Sequence, residues 1–486
     1  MKGSRRPAVS LRDDAGRHAR ARVLQAIWDS AWDSAGISRV DLTRKLHMSA
    51  VAASVYVREM IDAGLVLEDR PRSGTSGRRP IPLRVQPSAG YVIGVLLERH
   101  RTAVKVLNLQ AGIEHAAQSR TKSDSDRGGY IPWLVGLIRD TWNDFVNKQS
   151  QQGYGTPRLL GIGLGLPGPL NLATGTLLRV TGMSSWAGLA VRESLAKAFE
   201  PLPVLVDNDA NMSALAARYL DTDARNENAF VVVTITSGVG SGIVIRRRTD
   251  IPVIYHGETQ DDYIHGAETW DEIYRGANGM AGEFGHTSVG PEVDLCDCGG
   301  RGCLELYCGM LGIIKHATRR GWEGGKDALT APTTEASQNG WAQLEAIKKL
   351  HEDAVNSANP KQREYARTAL RWVADYIGKG VVNIVNTLDP AIIILSGDVV
   401  SNARDPDLIL GPVREAVSRR AFPHTGRTVR IKTDEIDDAE ARGAGLYVLR
   451  YLFTSPALID LSDPDQKERK IQWGVHTGRF DMKGYN

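Results

Sequence analysis

Long apolar runs are missing from this chain of 486 residues. No stretch approaches ~18 uninterrupted hydrophobic residues, which argues against a membrane-spanning helix. The opening segment, MKGSRRPAVSLRDDAGRHARARVL, is basic but has no apolar core. It is therefore not read as a secretory leader, and the protein is expected in the cytoplasm. A large charge imbalance is also missing: 60 Lys+Arg stand against 57 Asp+Glu, a net +3. Cysteine is scarce, with only Cys296, Cys298, Cys303 and Cys308, all within one short window. A disulfide framework would spread its cysteines along the chain, so clustered thiols in a reducing compartment point to metal instead. The 42% hydrophobic fraction is that of a globular protein and excludes disorder of the whole chain.

The near-neutral total hides an uneven distribution. Residues 1–90 hold 16 Lys+Arg against 9 Asp+Glu, whereas the remainder holds 44 against 48. A basic head on a slightly acidic body suggests that the head alone meets a polyanion. A solvated charged face would look the same by charge alone.

The pattern of the head is more specific. Residues 1–16 are expected to be flexible. Arg17–Ser34 reads as an amphipathic helix carrying Val23, Leu24, Ile27 and Trp28. Ser38, with Asp41 three residues on, forms a capping box for a second helix through Leu46. Ser49 caps a third helix, with Val51, Val55, Met60 and Ile61 as its apolar positions and a stop at Gly64. Helix, tight turn, helix is the arrangement that lays its second member in a DNA major groove. The following LVLEDRPRSGTSGRRPIPLRV reads as two short strands around a basic Gly/Ser turn, a wing. Candidate DNA contacts are Ser49, Ala50, Ser54 and Arg58 on the third helix, and Arg70, Arg72, Arg78 and Arg79 in the wing. A three-helix domain without a DNA role is the competing reading; the caps and the basic turn together favour DNA. A single small head makes few base contacts, so a homodimer or homotetramer on spaced half-sites is expected.

From Tyr91 onward strands rich in Val, Ile and Leu alternate with helices, giving an α/β body over residues 89–454. YVIGVLLERHRTAVKVLNLQAG and AFVVVTITSGVGSGIVIRRR each read as a strand, a turn and a returning strand, which hints at an internal duplication. Helices are expected at 131–148, 191–199, 210–219 and 363–388. Residues 117–129, 320–342 and much of 246–273 are polar and read as loops, and 455–486 as a tail.

Three constellations carry chemistry. GEFGHTSVGPEVDLCDCGGRGCLELYCG offers His286, Cys296, Cys298 and Cys303, an imidazole and three thiols suited to one tetrahedral zinc. Four protein ligands leave no open position, so this zinc would be structural; buried free thiols are the alternative. Cys308 reads as packing. VLVDNDANMSALAARY runs a strand into Asp207-Asn208-Asp209 and then a helix, the place where open α/β sheets bind ligands. Amide and carboxylate there can grip hydroxyls, or Asp207 or Asp209 can simply cap the helix. GIGLGLPGPLN and TSGVGSG are glycine loops that can approach a ligand or phosphate, or can be plain turns.

Together these motifs resemble the ROK family of sugar kinases and transcriptional repressors, from about Arg17 to Leu452. CDCGGRGCLE matches the family's CxCGxxGCxE, GEFGH its GExGH, Asn208-Asp209-Ala210-Asn211 its NDAN, and Pro167-Gly168-Pro169 its PGP loop. The wing ends in a GRRP turn like that of the repressor branch. The resemblance implies a two-lobed actin/hexokinase-like body behind an N-terminal winged helix-turn-helix domain. It also implies sugar contacts from Asn208, Asp209, Glu283, His286 and Glu305, with His286 the first ligand of the zinc. One departure matters. The kinases' DxGGT turn, whose amides cradle ATP phosphates, is here LLERHRT, with Leu96 at the Asp position and Glu98, Arg99 and His100 in the turn. Bulky and acidic side chains there exclude and repel phosphate. The expected function is a sugar-responsive transcriptional regulator, with a sugar or sugar phosphate as effector; an ATP-dependent sugar kinase with an appended DNA-binding head is the competing class.

Overall fold

The computed structural model describes residues 11–32, 36–69, 80–122, 127–180, 183–246, 271–291, 294–330, 336–454 and 476–477. In the head, a helix over Leu11–Asp29 is followed by helices at Arg39–Leu46 and Ala50–Asp62. The first therefore begins inside the segment expected to be flexible and ends before Ser34, with a short 3-10 turn at Ser30–Trp32. Val23, Leu24, Ile27 and Trp28 are buried as their spacing requires. The capping box at Ser38 forms in full: the Ser38 side chain accepts from Asp41 N, and Asp41 accepts from Ser38 N at 2.9 Å. Ser49 Oγ accepts from Ala52 N at 3.1 Å. These caps satisfy amides that the helix itself leaves orphaned.

The phase of the third helix corrects the sequence reading. Val51 and Val55 are exposed, at 74% and 47%, while Ala53, Val57 and Met60 are buried. Spacing of four and three residues places those three on one face, and Ala53 is small enough to let the neighbouring helix approach. Arg20 of the first helix clamps Glu59 of the third, with Nε donating at 2.8 Å and Nη2 at 3.3 Å. Strands Val66–Glu68 and Leu83–Val85 pair antiparallel and form the base of the wing. The wing arginines Arg70, Arg72, Arg78 and Arg79 lie outside the described residues.

The body contains two mixed sheets of matching topology. In the first, strands Tyr91–Leu97, Arg101–Asn108 and Ile113–Arg120 form an antiparallel meander. Arg158–Leu166 joins parallel to its first strand, and Val204–Asn208 parallel to that. In the second, Ala229–Ile235, Val239–Arg246 and Asp271–Ile273 form the meander, and Ile392–Ser396 and Arg430–Thr433 add in parallel. The weak sequence duplication is thus a duplication of fold. Helices appear at 127–151, 191–198, 209–220 and 360–388, close to the expected spans.

Several expected loops are ordered elements. Residues 117–120 complete a strand, and 326–330 and 336–356 are helical. The latter helix buries Leu344, Ile347 and Leu350 while its other face stays polar, which disguised it. Most of 246–273 lies outside the described residues, but 271–273 is a strand rather than loop. Of the tail, His476–Thr477 pairs with Arg158–Leu159.

Two helices cross between the sheets through glycine. A Cβ on Gly94 or Gly163 would stand 1.9 Å from the carbonyl oxygen of Ala441 or Ala444, both in the helix Ala439–Thr454. A Cβ on Gly443 would stand 1.8 Å from Met212 O in the helix Asp209–Leu220. Only glycine allows backbones this close. The head docks on the same region: Trp28 stacks on Phe453 at 5.0 Å and donates through Nε1 to Leu109 O at 3.0 Å.

Candidate functional site

The cleft between the two sheets collects most of the singled-out residues. Its lining includes Asn208, Asp209, Glu283, His286 and Glu305, together with the glycines of both loops. All five residues expected at a sugar site therefore share one cavity.

The strand Val204–Asn208 delivers the first of them, and the division of labour differs from either capping alternative. Asn208 is the cap. Its Oδ1 accepts from Ala210 N at 3.0 Å and Asn211 N at 3.4 Å, and its Nδ2 donates to Gly168 O at 3.2 Å. Gly168, with φ +75°, turns the PGP loop toward that amide. Asp207 is buried and held by Arg275, whose Nε and Nη2 donate to Oδ2 at 2.9 and 2.6 Å, and by Asn211 Nδ2 at 2.9 Å. Arg275 had no sequence signal, because a lone Arg after a polar stretch has no pattern. With Asn208 and Asp207 engaged, Asp209 is left to face the cleft.

Asp209 is electrostatically primed. Burial, then the nearby Glu98 and Glu283 carboxylates, push its carboxyl up to about 7, against backbone bonds from its own amide and from Ala210 N, the latter at 2.8 Å. Glu283 is likewise raised, by burial and by Glu305. Glu305 Oε2 accepts from Val239 N at 3.0 Å, tying the carboxylate to the second glycine loop. Convergent acceptors of this kind suit hydroxyl groups.

His286, Cys296, Cys298 and Cys303 come together in one cluster, with all ligand atoms within 4.8 Å of one another. Cys296 Sγ lies 3.6 Å from His286 Nδ1, and Cys298 Sγ lies 3.6 Å from Cys303 Sγ. Tetrahedral ligands at metal distances of 2.0–2.3 Å would be spaced by about 3.5–3.8 Å, so the set fits one metal ion. The opposite nitrogen, His286 Nε2, faces Glu283 Oε2 at 3.9 Å. One ring can thus serve the metal through Nδ1 and the cleft through Nε2. Cys308 is buried, with its thiol 3.7 Å from Val373 O, as packing requires.

The first hairpin turn is filled by side chains. Glu98 and His100 are buried at 5% and 0% exposure, and Arg101 Nε donates to Glu98 Oε2 at 2.6 Å. Thr121 Oγ1 donates to Glu98 O at 2.7 Å, and Gly340 of the helix Ala336–Asn356 packs on His100. Arg99 lines the cleft. Of the turn's amides, Glu98 N donates to Arg101 O at 2.9 Å.

On the head, Ala50, Ser54 and Arg58 form one exposed face with Val51 and Val55, edged by Arg39. Ser49 sits at its start as the cap.

The profile of the ROK family matches residues 97–257 and 269–450. Among proteins of similar sequence, a xylose repressor from Caldicellulosiruptor bescii is 25% identical over 419 residues, 86% of this chain and 91% of the repressor. The N-acetylglucosamine repressor of Escherichia coli O157:H7 is 23% identical over 424 residues, covering 85% and 89%. A glucokinase from Halalkalibacterium halodurans is 31% identical over 295 residues, 60% of this chain and 76% of the enzyme. Among solved structures, a ROK family transcriptional regulator, a homologue of the E. coli MLC protein, superposes with a TM-score of 0.63. It is 20% identical, with 91% of this chain and 97% of that one covered. These likenesses include both the body and, for the repressors, nearly the whole length.

Proposed function

Since the chain belongs to the ROK family, we infer that it is a sugar-responsive transcriptional regulator, acting as a repressor, that holds duplex operator DNA with its helix-turn-helix head and a sugar in the interlobe cleft. The carrying observation is the union of an exposed recognition-helix face with a cleft whose hydroxyl-directed carboxylates are kept while its first phosphate turn is filled. Repressors similar over nearly their full length support the same reading.

In this reading Asn208, Asp209, Glu283, His286 and Glu305 surround the sugar, with Asn208 shaping the floor through its backbone bonds. Phosphoryl transfer needs donors and a metal around the γ-phosphate. Glu98 and His100 occupy the turn that would supply them, so the sugar is bound and released unchanged. His286, Cys296, Cys298 and Cys303 hold one structural zinc, which fixes the loop presenting Glu283 and Glu305. The head works as part of a homodimer or homotetramer, with the wing arginines Arg72, Arg78 and Arg79 on phosphates or in a minor groove.

Sugar acts by favouring one lobe arrangement over another. The strand Arg101–Asn108 starts at the cleft turn and leads to Leu109, which receives the Trp28 indole. A coupling of roughly 1–3 kcal/mol between the two sites would change operator occupancy measurably. The test is a coupled ATP/ADP assay over hexoses and pentoses, run beside thermal-shift screening with sugars and sugar phosphates. A sugar that raises the melting temperature without ADP release is expected. Sugar-dependent ADP release that vanishes in Asp209→Asn would restore the kinase reading.

A further inference from the structure

Besides the thiol cluster, a second group of ligating side chains joins the two sheets. Glu98 and His100 come from the hairpin turn of the first sheet, and Asp398 opens the short helix after the strand Ile392–Ser396 of the second. His100 Nε2 lies 3.2 Å from Asp398 Oδ2 and 3.6 Å from Glu98 Oε2, and one ligand atom from each residue falls within 4.8 Å of the others. His100 is fully buried, yet among the described residues neither ring nitrogen makes a hydrogen bond of acceptable geometry, nor does Asp398 Oδ2. Close approach without hydrogen-bond alignment is unusual for buried polar atoms, which normally find partners. It is the ordinary relation of ligands around a shared ion: at metal distances near 2.1 Å, neighbouring ligand atoms stand about 3–3.5 Å apart.

The surroundings fit a cation as well. Arg101 donates to Glu98 through Nε and to Asp438 through Nη1 at 3.3 Å, and Lys105 Nζ lies 2.5 Å from Asp438. These two cations offset Glu98 and Asp438, while Asp398 faces His100 and also feels Arg101 and Lys348, which keep it a carboxylate able to ligate. Ligating carboxylates are themselves usually held by outer hydrogen bonds, as Arg101 holds Glu98.

We propose that Glu98, His100 and Asp398 form a second metal site, one that takes a divalent transition cation such as Mn²⁺ or Zn²⁺ and ties the two lobes together across the cleft. One imidazole and two carboxylates suit such an ion, whereas Ca²⁺ would need six or more oxygens. The site is separate from the thiolate centre and does not depend on whether the body senses a sugar or phosphorylates it. Because its ligands come from both lobes, any movement of one lobe against the other changes its affinity, so cation and cleft ligand are thermodynamically linked.

The test uses the full-length, zinc-replete protein titrated with Mn²⁺, free ion being counted by electron paramagnetic resonance. One further equivalent per chain is expected, with pulsed spectra showing the coupling of a single imidazole nitrogen. Asp398→Asn and His100→Gln should each weaken Mn²⁺ binding by about 10–100-fold or more. Cys298→Ser should lose zinc and keep the Mn²⁺ equivalent. The wild-type nitrogen coupling needs no variant, so a misfolded His100→Gln protein leaves the question answerable. Absence of that coupling, or Mn²⁺ binding unchanged in Asp398→Asn, would overturn the site and leave His100 as an imidazolium between two carboxylates.

Discussion

Asp209 is where single-residue chemistry is most exposed to measurement. Its folded-state value of about 7 lies well above the ordinary carboxylate range. Folding therefore favours the protonated acid, and this contribution is complete below about pH 4 and is lost as pH rises through 7. Asp209→Asn keeps the shape and removes the charge. The variant should match the wild type in melting temperature below about pH 4 and exceed it increasingly between pH 5 and pH 8, while losing its response to sugar. Equal pH profiles for the two proteins would show that neither burial nor the Glu98 and Glu283 charges raise this carboxyl. At the thiol cluster, Cys303→Ser should release the metal and weaken sugar binding together, since His286 belongs to both the cluster and the cleft; metal analysis and calorimetry read the two effects.

Among the elements, the crossing of helices Asp209–Leu220 and Ala439–Thr454 is the tightest contact and the least forgiving. Gly443→Ala would drive a methyl into Met212 O, and overpacking against backbone typically costs about 1–3 kcal/mol or more. Gly136→Ala, in the interior of the helix Arg127–Gln151, meets nothing within 4 Å and should gain roughly 0.5–1 kcal/mol. Chemical denaturation of the pair gives opposite signs if the packing is as described. In the head, Ser49→Ala removes the cap of the recognition helix at a cost of about 1 kcal/mol and should loosen DNA binding with it. The caps at Ser38 and Ser49 were legible because their logic is local. The phase of the recognition helix was not: Val51 and Val55 are as apolar as Val57, and only the packing of Ala53, Val57 and Met60 decided which valines face out.

Across the whole molecule, the head and body are joined by aromatic packing rather than by a bare linker. Trp28 stacks on Phe453 and bonds Leu109, and Trp32 lies against Tyr219 at 5.5 Å. Trp28→Ala should leave operator DNA and sugar each able to bind but reduce the effect of sugar on DNA affinity, as read by fluorescence anisotropy with and without sugar. An undiminished sugar effect would place the coupling elsewhere. Replacing Arg78 and Arg79 by Ala should lower the slope of log K against log salt by about one for each phosphate no longer neutralised.

The sequence by itself determined the features whose cause is local or covalent in spacing. These are the capped helices of the head, the strand-turn-strand units of the body, the tight Cys-x-Cys spacing and the acidic turn that replaced glycine. Their physics acts over a few residues, so a linear reading contains it. Tertiary structure alone decided which carboxylates stand near one another. Asp207 is neutralised by Arg275, 68 residues away, and so leaves the floor of the cleft to Asp209. His100 meets Asp398 only because folding brings the hairpin turn of the first sheet to the end of the strand Ile392–Ser396 of the second. Charges, ligands and pKa values depend on distances through space, and folding sets those distances between residues that the chain keeps far apart.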